Sequence, residues 1–184
     1  NGTSGFRLDG IDEYDSSGRS VSGAGDVNAD GYDDLIIGAY GANPGGDNYA
    51  GESYVVFGKG DWSGTASLDL STLNGTSGFR LDGIDEWDNS GQSVSGVGDV
   101  NGDGRLDVVV VDNKFGRLVW FANPAKPSAN WRRYIITTKS PRVYNVVLGD
   151  LDGDGDQDVI SASLTDNTVA WYESSTSNDN TPPT

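Results

Sequence analysis

Residues 1–31 read NGTSGFRLDGIDEYDSSGRSVSGAGDVNADG, and residues 74–104 read NGTSGFRLDGIDEWDNSGQSVSGVGDVNGDG. The offset is 73 residues, and 26 of 31 positions are identical. A chain that repeats itself this closely folds as copies of one local unit, each burying apolar surface against its neighbours. The five differences are Tyr14/Trp87, Ser16/Asn89, Arg19/Gln92, Ala24/Val97 and Ala29/Gly102. Over the next eleven positions only Asp34/Asp107 survives. From there the chain matches a different copy. RLDVVVVDNKFGRLVWF (105–121) resembles DQDVISASLTDNTVAWY (156–172) at an offset of 51, with Trp120 over Trp171. Two repeat flavours therefore meet near Gly104/Arg105. So sharp an edge fits recombination or deliberate fusion inside a shared loop as well as it fits natural drift.

The pattern within each copy predicts an all-β chain. LDVVVV, DVISAS, DLIIGAY and SYVVFG are short β-branched or aromatic runs bounded by Gly, Asn and Asp. The chain has 27 Gly and only 35% apolar residues, which suits many short strands joined by tight turns. Strands are expected near 5–11, 18–25, 33–39, 52–58, 67–70, 78–84, 92–98, 106–112, 117–122, 132–138, 143–149, 157–163 and 168–173. The polar ending 175–184 reads as a linker or tail.

Three acidic loops carry the chemistry. They begin at Asp26, Asp99 and Asp150, and each places side-chain oxygens at positions 1, 3, 5 and 9 with Gly at position 6. The candidate ligands are Asp26, Asn28, Asp30 and Asp34 in the first, and Asp99, Asn101, Asp103 and Asp107 in the second. The third has Asp150, Asp152, Asp154 and Asp158. The main-chain carbonyls of Tyr32, Arg105 and Asp156, at position 7, can add a further oxygen to each. Calcium takes six to eight oxygens, and alternate residues of a tight loop point at one centre. A helical EF-hand needs Glu at position 12, but Ile37, Val110 and Ser161 stand there and a strand-like run follows. The expected element is a β-hairpin loop holding Ca2+, about three ions per chain. Without a cation, each loop gathers three or four mutually repelling carboxylates.

Charge narrows the partners. Lys and Arg number 12 against 28 Asp and Glu, a net charge of −16. A nucleic-acid partner is not expected, because phosphate binding needs a basic face. Membrane insertion is not expected either, since no run approaches ~18 apolar residues. Cys and His are absent, which removes thiol nucleophiles, disulfides and imidazole bases. With most clustered Asp residues assigned to metal, the expectation is a chain that is not an enzyme. The tryptophans Trp87, Trp120, Trp131 and Trp171 could stack on sugars, but matched positions for Trp120 and Trp171 point to packing between units. The Asn1 and Asn74 glycosylation sequons sit in a repeated strand lead-in and read as turns. Asp12-Glu13 and Asp85-Glu86 read as solvated turn acids.

The pattern GDxNxDGxxDLIIGAYGA…SYVVFG, over residues 26–41 and 52–58, resembles the FG-GAP repeat of integrin-type β-propellers. The second flavour, GDLDGDGDQDVISAS…DNTVAWYES, resembles the related VCBS-type repeat. Two features depart from the pattern: the GAP triplet reads Gly38-Ala39-Tyr40, and the FG expected before each loop reads Ser17-Gly18 and Ser90-Gly91. The resemblance implies about three four-stranded antiparallel propeller blades over 1–174. The blades fall at about 12–84, 85–138 and 139–174. The segment 4–11 is a copy of a fourth strand with no blade before it. Closed propellers have four to eight blades. Completion is therefore expected either from the chain itself, as a homodimer with six blades, or from missing blades of a longer chain. The resemblance also implies a secreted or cell-surface module for adhesion, binding a protein or glycan, with structural calcium. The alternatives are a non-catalytic accessory domain of a secreted enzyme and an engineered scaffold without a ligand.

Overall fold

A computed structural model describes residues 5–114, 116–126, 130–139 and 142–174. The Asn1 sequon and the expected tail lie outside the described residues. Thirteen strands form: β1 (Arg7–Asp9), β2 (Ser20–Gly25), β3 (Asp34–Ala39), β4 (Glu52–Val56), β5 (Ser67–Asp69), β6 (Gly78–Asp82), β7 (Val94–Gly98), β8 (Asp107–Asp112), β9 (Arg117–Ala122), β10 (Arg132–Thr137), β11 (Val143–Gly149), β12 (Asp158–Ser163) and β13 (Thr168–Tyr172). Each falls on one of the runs expected from sequence. Two single-turn 3-10 segments are the described helical structure, and no described helix is long and apolar enough to cross a membrane.

The strands form propeller blades. Blade one is β2-β3-β4-β6, blade two is β7-β8-β9-β10, and blade three is β11-β12-β13. Neighbouring strands within each blade are antiparallel. The second strand of blade two, β8, is buried along its whole length, as a strand covered on both faces must be.

Two apolar clusters lie between blades. The first joins Ile36 and Val55 of blade one to Val94, Val108 and Val110 of blade two. The second joins Val109, Leu118 and Trp120 of blade two to Val146 and Val159 of blade three. Alternation along β8 explains this: Val108 and Val110 face back, while Val109 and Val111 face forward. A third cluster, with Ile37, Tyr54 and Val56, lies on the other face of blade one.

Among the described residues, the strand ahead of blade one joins no blade. β1 pairs in parallel with β5 over three residues, Arg7 to Ser67 through Asp9 to Asp69. Its sequence twin β6 pairs antiparallel with β4, from Glu52/Asp82 to Val56/Gly78.

Candidate metal centre

Each acidic loop connects the first two strands of its blade. The loops span β2 to β3, β7 to β8 and β11 to β12. The turn is tight because two of its positions are left-handed. The position-6 glycines Gly31, Gly104 and Gly155 have φ of 92°, 84° and 99°. Position 4 is also left-handed, at Ala29 (59°), Gly102 (71°) and Gly153 (80°).

That turn draws the side-chain oxygens inward. In the first loop, Asp26 Oδ1 and Asn28 Oδ1 both accept the Asp30 amide at 2.9 Å. In the second, Asp99 Oδ1 and Asn101 Oδ1 accept the Asp103 amide at 2.9 and 3.0 Å. Oxygens of positions 1 and 3 are thereby held side by side. Position 5 caps the turn: the Tyr32, Arg105 and Asp156 amides donate to Asp30, Asp103 and Asp154 at 3.0, 3.0 and 2.9 Å. In the third loop, Asp150 accepts amides from Gly153 at 2.7 Å and Gly155 at 3.1 Å. Asp150, Asp152 and Asp158 bring one carboxylate oxygen each to within 4.8 Å of one another. Among the described residues, this is the one convergent group of three or more acidic side chains. The other two loops carry Asn at position 3, so their convergence is a mixed amide–carboxylate set.

Position 9 has a second job that sequence did not reveal. Asp34, Asp107 and Asp158 are buried. One oxygen of each accepts the amide at position 2, from Val27 (2.9 Å), Val100 (3.1 Å) and Leu151 (3.1 Å). The other accepts an amide just beyond the third strand, from Gly58 (2.7 Å), Asn123 (2.7 Å) and Ser174 (3.0 Å). The same carboxylate thus ties the loop to the exit of the third strand. For Gly58, the signal was the Phe57-Gly58 dipeptide; for Asn123 and Ser174, there was none. Asn123 also donates its side-chain amide to Val27 O at 2.7 Å, bridging blade two to the first blade's loop.

Burial raises two of these acids. The Asp34 carboxyl is pushed up to about 6 and Asp107 to about 7, chiefly by desolvation, against the pull of their two backbone amides. Acidic loop neighbours push the same way: Asp30 and Asp26 on Asp34, Asp103 and Asp99 on Asp107. Asp156 is also raised, first by desolvation and then by Asp154, Asp99 and Asp150. The second loop differs in carrying a cation of its own. The Arg105 guanidinium pairs with Asp103 Oδ2 and donates from Nε to Asn123 O at 2.7 Å. The donor set, oxygen throughout, fits a hard divalent cation of the calcium kind.

A family profile described as an FG-GAP repeat matches residues 17–56, and one described as an FG-GAP-like repeat matches residues 99–161. The chain belongs to the FG-GAP repeat proteins. Both repeat flavours fall within it: the first match contains one acidic loop with β2 and β3, and the second contains the other two loops. Integrin alpha pat-2 of Caenorhabditis elegans is 36% identical over 101 residues, and its Caenorhabditis briggsae counterpart is 35% identical over 105. Both alignments cover 55% of this chain but only 8% of the integrin, so the chain spans a small part of those relatives. FG-GAP repeats form β-propellers, and the sheets seen here are blades of one.

Proposed function

We propose that this FG-GAP chain is a calcium-stabilised propeller module that serves extracellular adhesion. Calcium here is structural: it fixes each β-hairpin loop and neutralises its acids. The observation that carries this reading is the convergence of Asp150, Asp152 and Asp158 within 4.8 Å. The same nine-residue pattern recurs in the other two loops, where Asp26/Asn28 and Asp99/Asn101 oxygens are held side by side. Each loop gathers negative charge that a divalent cation would offset. The candidate ligands are the fifteen residues named from sequence, with Tyr32, Arg105 and Asp156 contributing carbonyls. Position 9 stabilises the loop from behind as well as facing the ion.

The adhesion role rests on the likeness to integrin alpha chains, which also favours a secreted or cell-surface location. The ligand class is protein or glycan. A non-catalytic role agrees with the chemistry on hand, since the clustered carboxylates are engaged in loop structure and the chain has no His or Cys.

Calorimetric titration of chelator-stripped protein with calcium tests the reading. The expected result is about three binding events per chain, one of them removed by Asp150→Ala together with Asp152→Ala. Absence of binding heat, with a melting curve that calcium leaves unchanged, would reject it.

A further inference from the structure

Blade two shows what a blade covered on both faces looks like, and blades one and three depart from it on opposite sides. Trp120 is 0% exposed and faces blade three, whereas its repeat equivalent Trp171 is 47% exposed. Leu118 is 0% exposed and its equivalent Val169 is 76% exposed. Val94 is 3% exposed and faces blade one, whereas its equivalent Val21 is 62% exposed. Blade three therefore presents its forward face, and blade one the Val21 and Leu35 part of its backward face, as apolar surfaces that the repeat buries elsewhere.

The edges tell the same story. Among the described residues, blade three ends at β13 with no fourth strand. β1 has the sequence of a fourth strand, and it sits on blade one as β6 sits on blade two. Phe79 of β6 stacks on Trp131, just ahead of β10 in blade two, with centroids 4.9 Å apart. Phe6, its equivalent beside β1, stacks on Trp62, in the β4–β6 connection of blade one, at 4.0 Å. Leu81 is buried against Val108, Val110 and Phe121 of blade two. Leu8 packs against Ile37, Tyr54 and Val56 of blade one. β1 thus occupies the place of the outer strand of a preceding blade, and the other three strands of that blade do not pair with it among the described residues.

We propose that those three strands are β11–β13 of a second copy of this chain. The partner's blade three lays its forward face, with Trp171 and Val169, against Val21 and Leu35 of blade one. β1 then adds antiparallel to β13, in the register that β6 keeps on β4. That register sets Leu8 opposite Val169 of the partner subunit, as Leu81 stands opposite Ser53. The exchange is reciprocal about a two-fold axis and closes a six-bladed ring without a free blade edge. It does not depend on the loops binding calcium.

Two measurements on the full chain test it. Light scattering across micromolar concentrations should give twice the 19.4 kDa chain mass, falling to one chain for Trp171→Lys, a site already solvent-exposed. The chain lacks cysteine, so the Leu8→Cys/Val169→Cys double variant places thiols only at the proposed contact. After oxidation it should run as a covalent dimer on a non-reducing gel, while each single variant does not link in this way. A wild-type mass of one chain overturns the proposal and points to further blades from elsewhere. A dimer in which the two thiols stay free, or a link formed within one chain, overturns it too.

Discussion

Trp120 and Trp171 stand at the same point of consecutive blades, on β9 and β13, each opposite its own second strand. Trp120 is enclosed by blade three and stacks on Tyr134 at 4.7 Å, whereas Trp171 is half-exposed, with no blade over it among the described residues. Stability should therefore respond unequally. Trp120→Ala removes a fully buried ring and is expected to cost about 3–5 kcal/mol. Trp171→Ala should cost well under half as much in dilute protein, where only one face of its blade is covered. Urea unfolding of both variants checks this, and equal losses would contradict the packing described.

Arg117 holds two buried carboxylates at the start of β9. It lies 2.9 Å from Asp88 Oδ1 and 2.9 Å from Asp112 Oδ2, and Arg133 also pairs with Asp112. Asp112 is nonetheless pushed up to about 6, mainly by burial and then by Asp88, with the two arginines pulling the other way. Its folded value thus exceeds its unfolded one, so it favours folding most below the unfolded carboxylate pKa and loses that contribution as pH rises through about 6. Arg117→Met takes this partner from Asp88, leaves Asp112 with Arg133 alone, and is expected to cost about 3–5 kcal/mol at pH 7.5. The loss should shrink on acidification toward pH ~4, as protonation removes the buried charge. Melting curves at both pH values test the sign; a deficit that grows on acidification would refute it.

Repetition made most of this molecule legible. All thirteen strands follow from β-branched runs and Gly/Asp punctuation, and the three loops follow from oxygen spacing around a glycine. What could not be read was long-range pairing. Segments with the same SGFRLDGID sequence take different partners, β4 for β6 and β5 for β1, because the neighbours differ rather than the strands. The second role of Asp34, Asp107 and Asp158 was hidden for a related reason. Their backbone donors Gly58, Asn123 and Ser174 lie 16 to 24 residues away and act through amides, which carry no side-chain signature.

Ala29 occupies a left-handed position where the other two loops have glycine. A Cβ in that conformation costs about 1–2 kcal/mol, partly offset by the backbone entropy that glycine loses on folding. Ala29→Gly should therefore stabilise the first loop, by roughly 0.5–1 kcal/mol after that offset. Thermal denaturation at fixed calcium measures the gain, and a lowered melting temperature would show that the loop is not strained there.

The three loops should not bind calcium alike. The third has four side-chain carboxylates at its ligand positions, whereas the second has three and an arginine already paired with Asp103. Higher ligand charge gives tighter calcium binding. Asp150→Ala should therefore lose more affinity than Asp99→Ala in calorimetric titration, and Arg105→Gln should strengthen the second site about threefold to tenfold by removing an opposing charge. Saturation at one hundred times Kd adds about 2.7 kcal/mol per site. In a chain of this size that corresponds to a melting temperature about 5–10 °C lower in chelator for each site emptied. Equal losses for the two alanine variants would remove the ranking, and a melt indifferent to chelation would remove the structural role of the ion.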